Sequence, residues 1–247
     1  MSVESRQPHR IHLIVMSRAP VAGQTKTRLT PPLSPEEARD FHAACIQDVL
    51  DAAQQWSAGL ESQGVAVAIY LFITPPESEP AFEAAGVSLP EDLIVLPQVG
   101  ENLWRRMEHA LNTALQDAPP HTWAILVGSD LPMLAPNHFK EAARALERAD
   151  VVFGPALDGG YYLLGVRKPL RGLFDIRHSG GESVLEKALR AARGLGHQTA
   201  IISTLPDADT IEDLRAIRSH TDRGQAGPHR GLNFIADWFD RNGMAAE

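Results

Sequence analysis

Cys45 is the only cysteine among 247 residues, so neither an internal disulfide framework nor a thiolate zinc site can be built within one chain. Long apolar runs are also missing. The first one, "IHLIVM", covers about six residues before Ser17 and Arg18, too few for a signal-peptide core or a membrane span. With the polar opening "MSVESRQPHR" read as a flexible N-terminus over 1–10, the expectation is a cytoplasmic protein with no membrane partner. Basic excess is lacking as well: 31 acidic residues against 23 basic give a formal charge of -8, which argues against nucleic acid as a partner. A small anion in a local basic pocket stays compatible with that balance.

Several reaction classes lack their signatures. A Walker A loop, G-x-x-x-x-G-K-[ST], would need glycines where "PVAGQTKT" has Pro20 and Thr25. No G-x-S-x-G nucleophile motif occurs. His109, His138, His197 and His220 show no metal-ligand spacing, and neither internal repeats nor low-complexity tracts are visible.

What is present is ordinary for a soluble globular enzyme, with 44% hydrophobic and 22% charged residues. Apolar runs at 11–17, 65–74, 93–97, 123–129, 150–156, 161–166 and 199–204 read as buried strands. Between them lie helical segments at 33–56, 102–117, 136–149, 182–196 and 210–220. The first has Ser34 as N-cap, Pro35 in the first turn and Glu37 completing a capping box. This alternation predicts a single α/β domain over 11–220, with a mainly parallel, doubly wound, Rossmann-like sheet and helices on both faces. Residues 221–247 read as a loop and a short amphipathic helix that could cover the sheet edge or a partner subunit in a homodimer.

Such sheets bind ligands beyond the carboxyl ends of their strands, and the loops there carry five constellations. "SRAPVAGQTKTRL" leaves the first strand with Gly23, Lys26 and Arg28; it reads either as a phosphate cradle or as a solvated loop with two surface cations. "LVGSDLPML" puts Asp130 at a strand end, placed to hold Mg²⁺ or to cap and bond the loop. "FGPALDGGYYLLG" carries Asp158 in a hairpin-like turn with Gly159 and Gly160. "LPDADTIEDL" offers Asp207 and Asp209, either as a metal motif or, with Thr210, as helix capping. "RHSGGESVLEKAL" combines Ser179 and Glu182 in a capping box with a glycine pair and Ser183.

Taken together and in this order, "MSRAPVAGQTKTRLTPPLSPEEA", "LVGSDLPML", "DVVFGPALDGGYYLLGV" and "LPDADTIEDL" resemble the glycosyltransferase-like family of the nucleotide-diphospho-sugar transferase superfamily, of the type found beside radical-SAM and arsenosugar-biosynthesis genes. They are similar, more distantly, to the guanylyltransferases of 2-phospholactate and of the molybdenum cofactor. The resemblance implies a GT-A-type fold, a Mg²⁺ or Mn²⁺ cofactor, a nucleotide or nucleotide-sugar donor and a small-molecule acceptor. It implies nucleotide contacts from Ala19, Pro20, Gly23, Lys26, Arg28, Gln98 and Asp130, and metal contacts from Asp130 with Asp209 or Asp207. Lys26, Arg28, Asp130 and Asp158 become the catalytic set, and Gly159, Gly160, Tyr161, Gly180 and Ser183 the acceptor side. Trp104 and His178 stand where family members commonly have Gly and Trp. The reaction implied is glycosyl transfer; nucleotidyl transfer with pyrophosphate release is the alternative, and a nucleotide-binding module without catalysis the rival from another class.

Overall fold

The computed structural model describes residues 8–170, 172–174, 183–220 and 229–243. Seven strands form one sheet: β1 (Arg10–Arg18), β2 (Ala66–Thr74), β3 (Ile94–Pro97), β4 (Thr122–Gly128), β5 (Val151–Pro155), β6 (Tyr161–Val166) and β7 (Thr199–Ile201). Their order is β3-β2-β1-β4-β6-β5-β7. All neighbours pair in parallel except β6, which runs antiparallel to both β4 and β5. The reversal is local in origin, since the Asp158–Gly160 turn feeds β5 straight back into β6.

Both faces are covered, which is why the strands are continuously apolar. Along β1, Ile11, Leu13 and Val15 pack under α1 (Pro35–Glu61) and α4 (Pro136–Leu146). Ile14 and Met16 point the other way, toward α3 (Leu103–Leu115) and α5 (Val184–Gly194). Ser34 caps α1 through the capping box its sequence announces, its hydroxyl accepting from the Glu37 N–H at 3.1 Å. A short α2 (Glu79–Ala84), also present, gives no periodic signal because it spans only six residues. No helix among the described residues is long and apolar enough to cross a membrane.

A third apolar cluster positions the loop that follows β1. Leu29 and Leu33 from that loop pack with Phe41 of α1, with Leu214 and Ile217 of α6 (Ile211–His220), and with Ile235 and Phe239 of α7 (Arg230–Arg241). α7 is the amphipathic C-terminal segment, and it covers α1 and α6 rather than the sheet edge. Asp48 of α1 fixes its start by accepting the N–H groups of Arg230 and Gly231, each at 2.8 Å, where a carboxylate also suits the positive end of the helix. A Cβ on Gly231 would lie 2.8 Å from Pro132 Cβ, on the loop that follows Asp130. Gly231→Ala is therefore expected to destabilise the fold by about 1–3 kcal/mol through overpacking; denaturant unfolding checks this, and an unchanged midpoint would show that α7 can shift freely.

Candidate active site: two cavities meeting at a carboxylate pair

The loops at the carboxyl ends of β1, β3 and β4 surround a cavity of about 600 Å³, a size suited to a nucleotide-scale ligand. The β1 loop contributes Arg18 and then Gln24 to Arg28; Gln98 comes from the β3–α3 connection and Arg106 from the first turn of α3; the β4 end contributes Ser129 and Asp130; Asp209 closes the rim. Ala19 and Pro20 are buried and do not line it, and Gly23 lies exposed outside it. In this structure Ala19 donates its N–H to the Thr74 carbonyl at 2.9 Å and ties the loop to β2.

Lys26 does not project into the cavity as a free cation. Its side chain is 3% exposed, and its ammonium reaches Asp130 Oδ2 at 2.8 Å, Asp209 Oδ1 at 2.8 Å and the Ala208 carbonyl at 3.1 Å. Those three acceptors use all three ammonium protons. Lys26 therefore clamps two carboxylates far apart in the sequence, one from the end of β4 and one from the loop before α6. It does so from the left-handed region, φ 47°, a conformation costing on the order of 1–2 kcal/mol for a side-chain-bearing residue. Burial alone would lower its pKa, but the carboxylates of Asp130 and Asp209 overcome that and raise it.

Asp130 is held from the other side by His42, whose Nε2 lies 2.9 Å from Asp130 Oδ1 and whose Nδ1 lies 2.6 Å from Thr25 Oγ1. A carboxylate can only accept, so Nε2 carries a proton, and in the neutral ring the Thr25 hydroxyl donates to Nδ1. Burial would raise the Asp130 carboxyl; Lys26 and His42 outweigh it and hold the group well below the usual carboxylate range. Beneath this network the Ser129 hydroxyl donates to Ser17 Oγ at 2.9 Å, joining the ends of β4 and β1.

The cations that do face the cavity are Arg18, Arg28 and Arg106. Arg28 is 70% exposed and reaches Asp209 Oδ2 at 3.4 Å, and Arg106 Nε donates to the Gly100 carbonyl at 3.1 Å. That contact needs a glycine, since Gly100 has φ 143° and a Cβ there would come 2.8 Å from the Arg105 backbone. Gln98 donates from Nε2 to the Ser17 and Phe72 carbonyls, both at 2.9 Å. Two carbonyl neighbours fix the amide orientation and leave its oxygen as the free acceptor.

Asp130 and Asp209 also border a second cavity of about 380 Å³, shared with Leu103 and Leu131, which holds Asp158, Gly160, Tyr161 and Asp207. Of the acceptor-side expectations, Gly160 and Tyr161 line it, whereas Gly159 and Ser183 do not. The Ser183 hydroxyl instead accepts from the Glu186 N–H at 3.2 Å and caps α5. Gly180, His178 and the Ser179/Glu182 box lie outside the described residues. Trp104 faces this second cavity, its ring 6.2 Å from that of Tyr161.

No group of three or more His, Cys, Asp or Glu side chains among the described residues is arranged to hold a metal ion. Asp207 is engaged elsewhere, accepting the Asp158 N–H at 2.8 Å. Thr210 and Asp213 cap α6 through reciprocal bonds of 2.8 and 3.3 Å, which leaves Asp209 free for the site. Asp130 and Asp209, brought to one ammonium and each roughly half-exposed to the cavities, supply the two hard-oxygen ligands that Mg²⁺ uses when substrate phosphates and water complete its shell. On donor chemistry the pair fits.

His42 and Arg106 have no local sequence signature: one is a lone histidine on an amphipathic helix, the other one arginine of an exposed pair. Only the packing of α1 and α3 onto the sheet brings them to the loop.

The chain is 28% identical over 231 residues to 2-phospho-L-lactate guanylyltransferase of Haloarcula marismortui, covering 91% of this chain and 90% of that protein. In fold it is similar to a candidate nucleotide-diphospho-sugar transferase of Desulfovibrio desulfuricans G20, with a TM-score of 0.77, 24% identity and coverage of 96% and 98% of the two chains. It is also similar to 4-diphosphocytidyl-2C-methyl-D-erythritol synthase of Anaerococcus prevotii, with a TM-score of 0.50, 10% identity and coverage of 82% and 94%. The α/β fold with nucleotide-diphospho-sugar transferase-like architecture is thus shared with solved structures. Residues 61–180, which include Gln98, Arg106, Asp130 and Asp158, match the family model described as "Uncharacterized protein conserved in bacteria (DUF2064)".

Proposed function

We propose that this chain is a nucleotidyltransferase, which moves a nucleoside monophosphate from a nucleoside triphosphate to a small-molecule acceptor and releases pyrophosphate. The observation that carries this reading is the meeting of two cavities at one carboxylate pair, with Arg18, Arg28 and Arg106 on one side only. A triphosphate laid along the arginines brings its α-phosphorus to the junction and leaves the β- and γ-phosphates among the cations. The similarity to a guanylyltransferase along nine-tenths of the chain favours this reaction over glycosyl transfer from a nucleotide-sugar.

The acceptor oxygen attacks the α-phosphorus from the second cavity, the bond from that phosphorus to the bridging oxygen breaks, and pyrophosphate departs with the electron pair. A proton carried by the attacking oxygen passes to solvent. The arginines neutralise the charge that gathers on the leaving group. Asp130 and Asp209 would hold Mg²⁺ or Mn²⁺, which when bound supplies charge neutralisation at the transferring phosphate. Lys26 and His42 keep Asp130 oriented and ionised, and Gln98 presents its amide oxygen to a donor on the base edge.

Arg106→Ala is expected to weaken nucleoside triphosphate binding about 10–100-fold, the loss of one charge-assisted contact, with little change in stability. Isothermal titration checks this. The reaction itself is tested by supplying each nucleoside triphosphate, or a panel of nucleotide-sugars, with Mg²⁺ and a bacterial small-molecule extract. Pyrophosphate from a triphosphate is the expected product; nucleoside diphosphate from a nucleotide-sugar, without pyrophosphate, would replace this reading by glycosyl transfer.

A further inference from the structure

The second cavity has a chemical character opposite to the first. Its walls combine Trp104, Met107, Tyr161 and Val184 with the carboxylates of Asp158 and Asp207, and no lysine or arginine is among the described residues that line it. Leu103 and Val184 keep 58% and 38% of their surface exposed at its mouth, and neighbouring Leu157 keeps 71%. Exposed apolar side chains gathered around one opening mark a ligand or partner surface more than chance scatter does.

The carboxylates of Asp158 and Asp207 are fixed in place. Asp158 Oδ1 accepts the Gly160 N–H at 2.6 Å, and Asp207 Oδ2 accepts the Asp158 N–H at 2.8 Å. The Lys26 ammonium is engaged by Asp130 and Asp209. A phosphorylated or carboxylated acceptor would therefore lay its charge against the carboxylates of Asp158 and Asp207, with no lysine or arginine among the described lining residues to receive it away from the proposed ion at Asp130 and Asp209.

Resting on the nucleotidyl-transfer reading, we infer that the acceptor is not anionic: it is a molecule with an apolar or aromatic body, seated between Trp104 and Tyr161, that presents an uncharged hydroxyl or an amine-bearing group to the carboxylates. The attacking oxygen is then a hydroxyl rather than a phosphate. In this the chain would differ from the guanylyltransferase it resembles, whose named acceptor is a phosphorylated acid.

Three matched probes test this: benzyl alcohol, benzylammonium and benzyl phosphate, titrated into the full chain with Mg²⁺ present and followed by saturation-transfer NMR. The alcohol and the ammonium are expected to bind at least about tenfold more tightly than the phosphate. Trp104→Ala should weaken the alcohol about tenfold, and Asp158→Asn should narrow the gap between alcohol and phosphate. Tightest binding of the phosphate, no binding of any probe, or affinities unchanged by Trp104→Ala would overturn the inference. Triphosphate binding measured in the same samples separates the two readings. If triphosphate binds and the phosphate probe is preferred, only the acceptor class fails; if the alcohol binds and no triphosphate does, only nucleotidyl transfer fails.

Discussion

Asp130→Asn is expected to lower the transfer rate about 10²–10³-fold while leaving the chain folded, an effect on the scale of losing one preorganised electrostatic group in an active site. The substitution keeps shape but removes the negative charge on which Lys26, His42 and the proposed divalent ion converge. Steady-state rates compared with circular dichroism distinguish this from unfolding; a variant with the native rate would remove Asp130 from the chemistry. The pH dependence follows from the same contacts. Because the folded pKa of Asp130 lies below its unfolded value near 4, its ionised form stabilises the fold above that pH, and the contribution is lost as pH falls through the folded value. The acid limb of the native stability curve should therefore be flatter in Asp130→Asn.

Lys26→Met is expected to be the most destabilising single change in the site. It removes the cation buried between Asp130 and Asp209 and leaves two like charges facing each other across its former position. Removing one partner of a buried pair costs about 3–5 kcal/mol, and the half-exposure of both carboxylates brings this to about 2–3 kcal/mol, because water can solvate them once the ammonium is gone. For a chain of this length that lowers Tm by about 4–12 °C. Mg²⁺ should restore part of the loss, and should raise Tm more in Lys26→Met than in the native chain, since an added cation then meets an uncompensated pair. Native stability in the variant would contradict the role of Lys26 as the clamp.

The layout was legible because its signals are local. Continuous apolar runs mark strands covered on both faces, and the Ser34/Glu37 box and the Asp158–Gly160 turn fix a helix start and a reversal within a few residues. The loop after β1, Asp130 and Asp209 were legible as a set of loops at one edge of a parallel sheet. Which of Asp207 and Asp209 joins Lys26 was not, because the choice depends on Thr210 and Asp213 taking over the cap and on the Asp158 N–H claiming Asp207. Lys26 and Arg28 lie two residues apart and read as equivalent cations, yet the left-handed backbone at Lys26 turns one inward and leaves the other 70% exposed. His42 and Arg106 join the site only through tertiary packing, which no spacing encodes.

In the proposed reaction nucleotide phosphates and a divalent ion meet at Asp130 and Asp209. Crystals grown with Mn²⁺ and a non-hydrolysable nucleoside triphosphate, measured at the manganese absorption edge, test it directly. The expected result is one anomalous peak within about 2.0–2.3 Å of a carboxylate oxygen of each aspartate, with the triphosphate along Arg18, Arg28 and Arg106 and its α-phosphorus at the mouth of the second cavity. A manganese peak away from both aspartates, or a triphosphate bound outside the arginine-lined cavity, would contradict it.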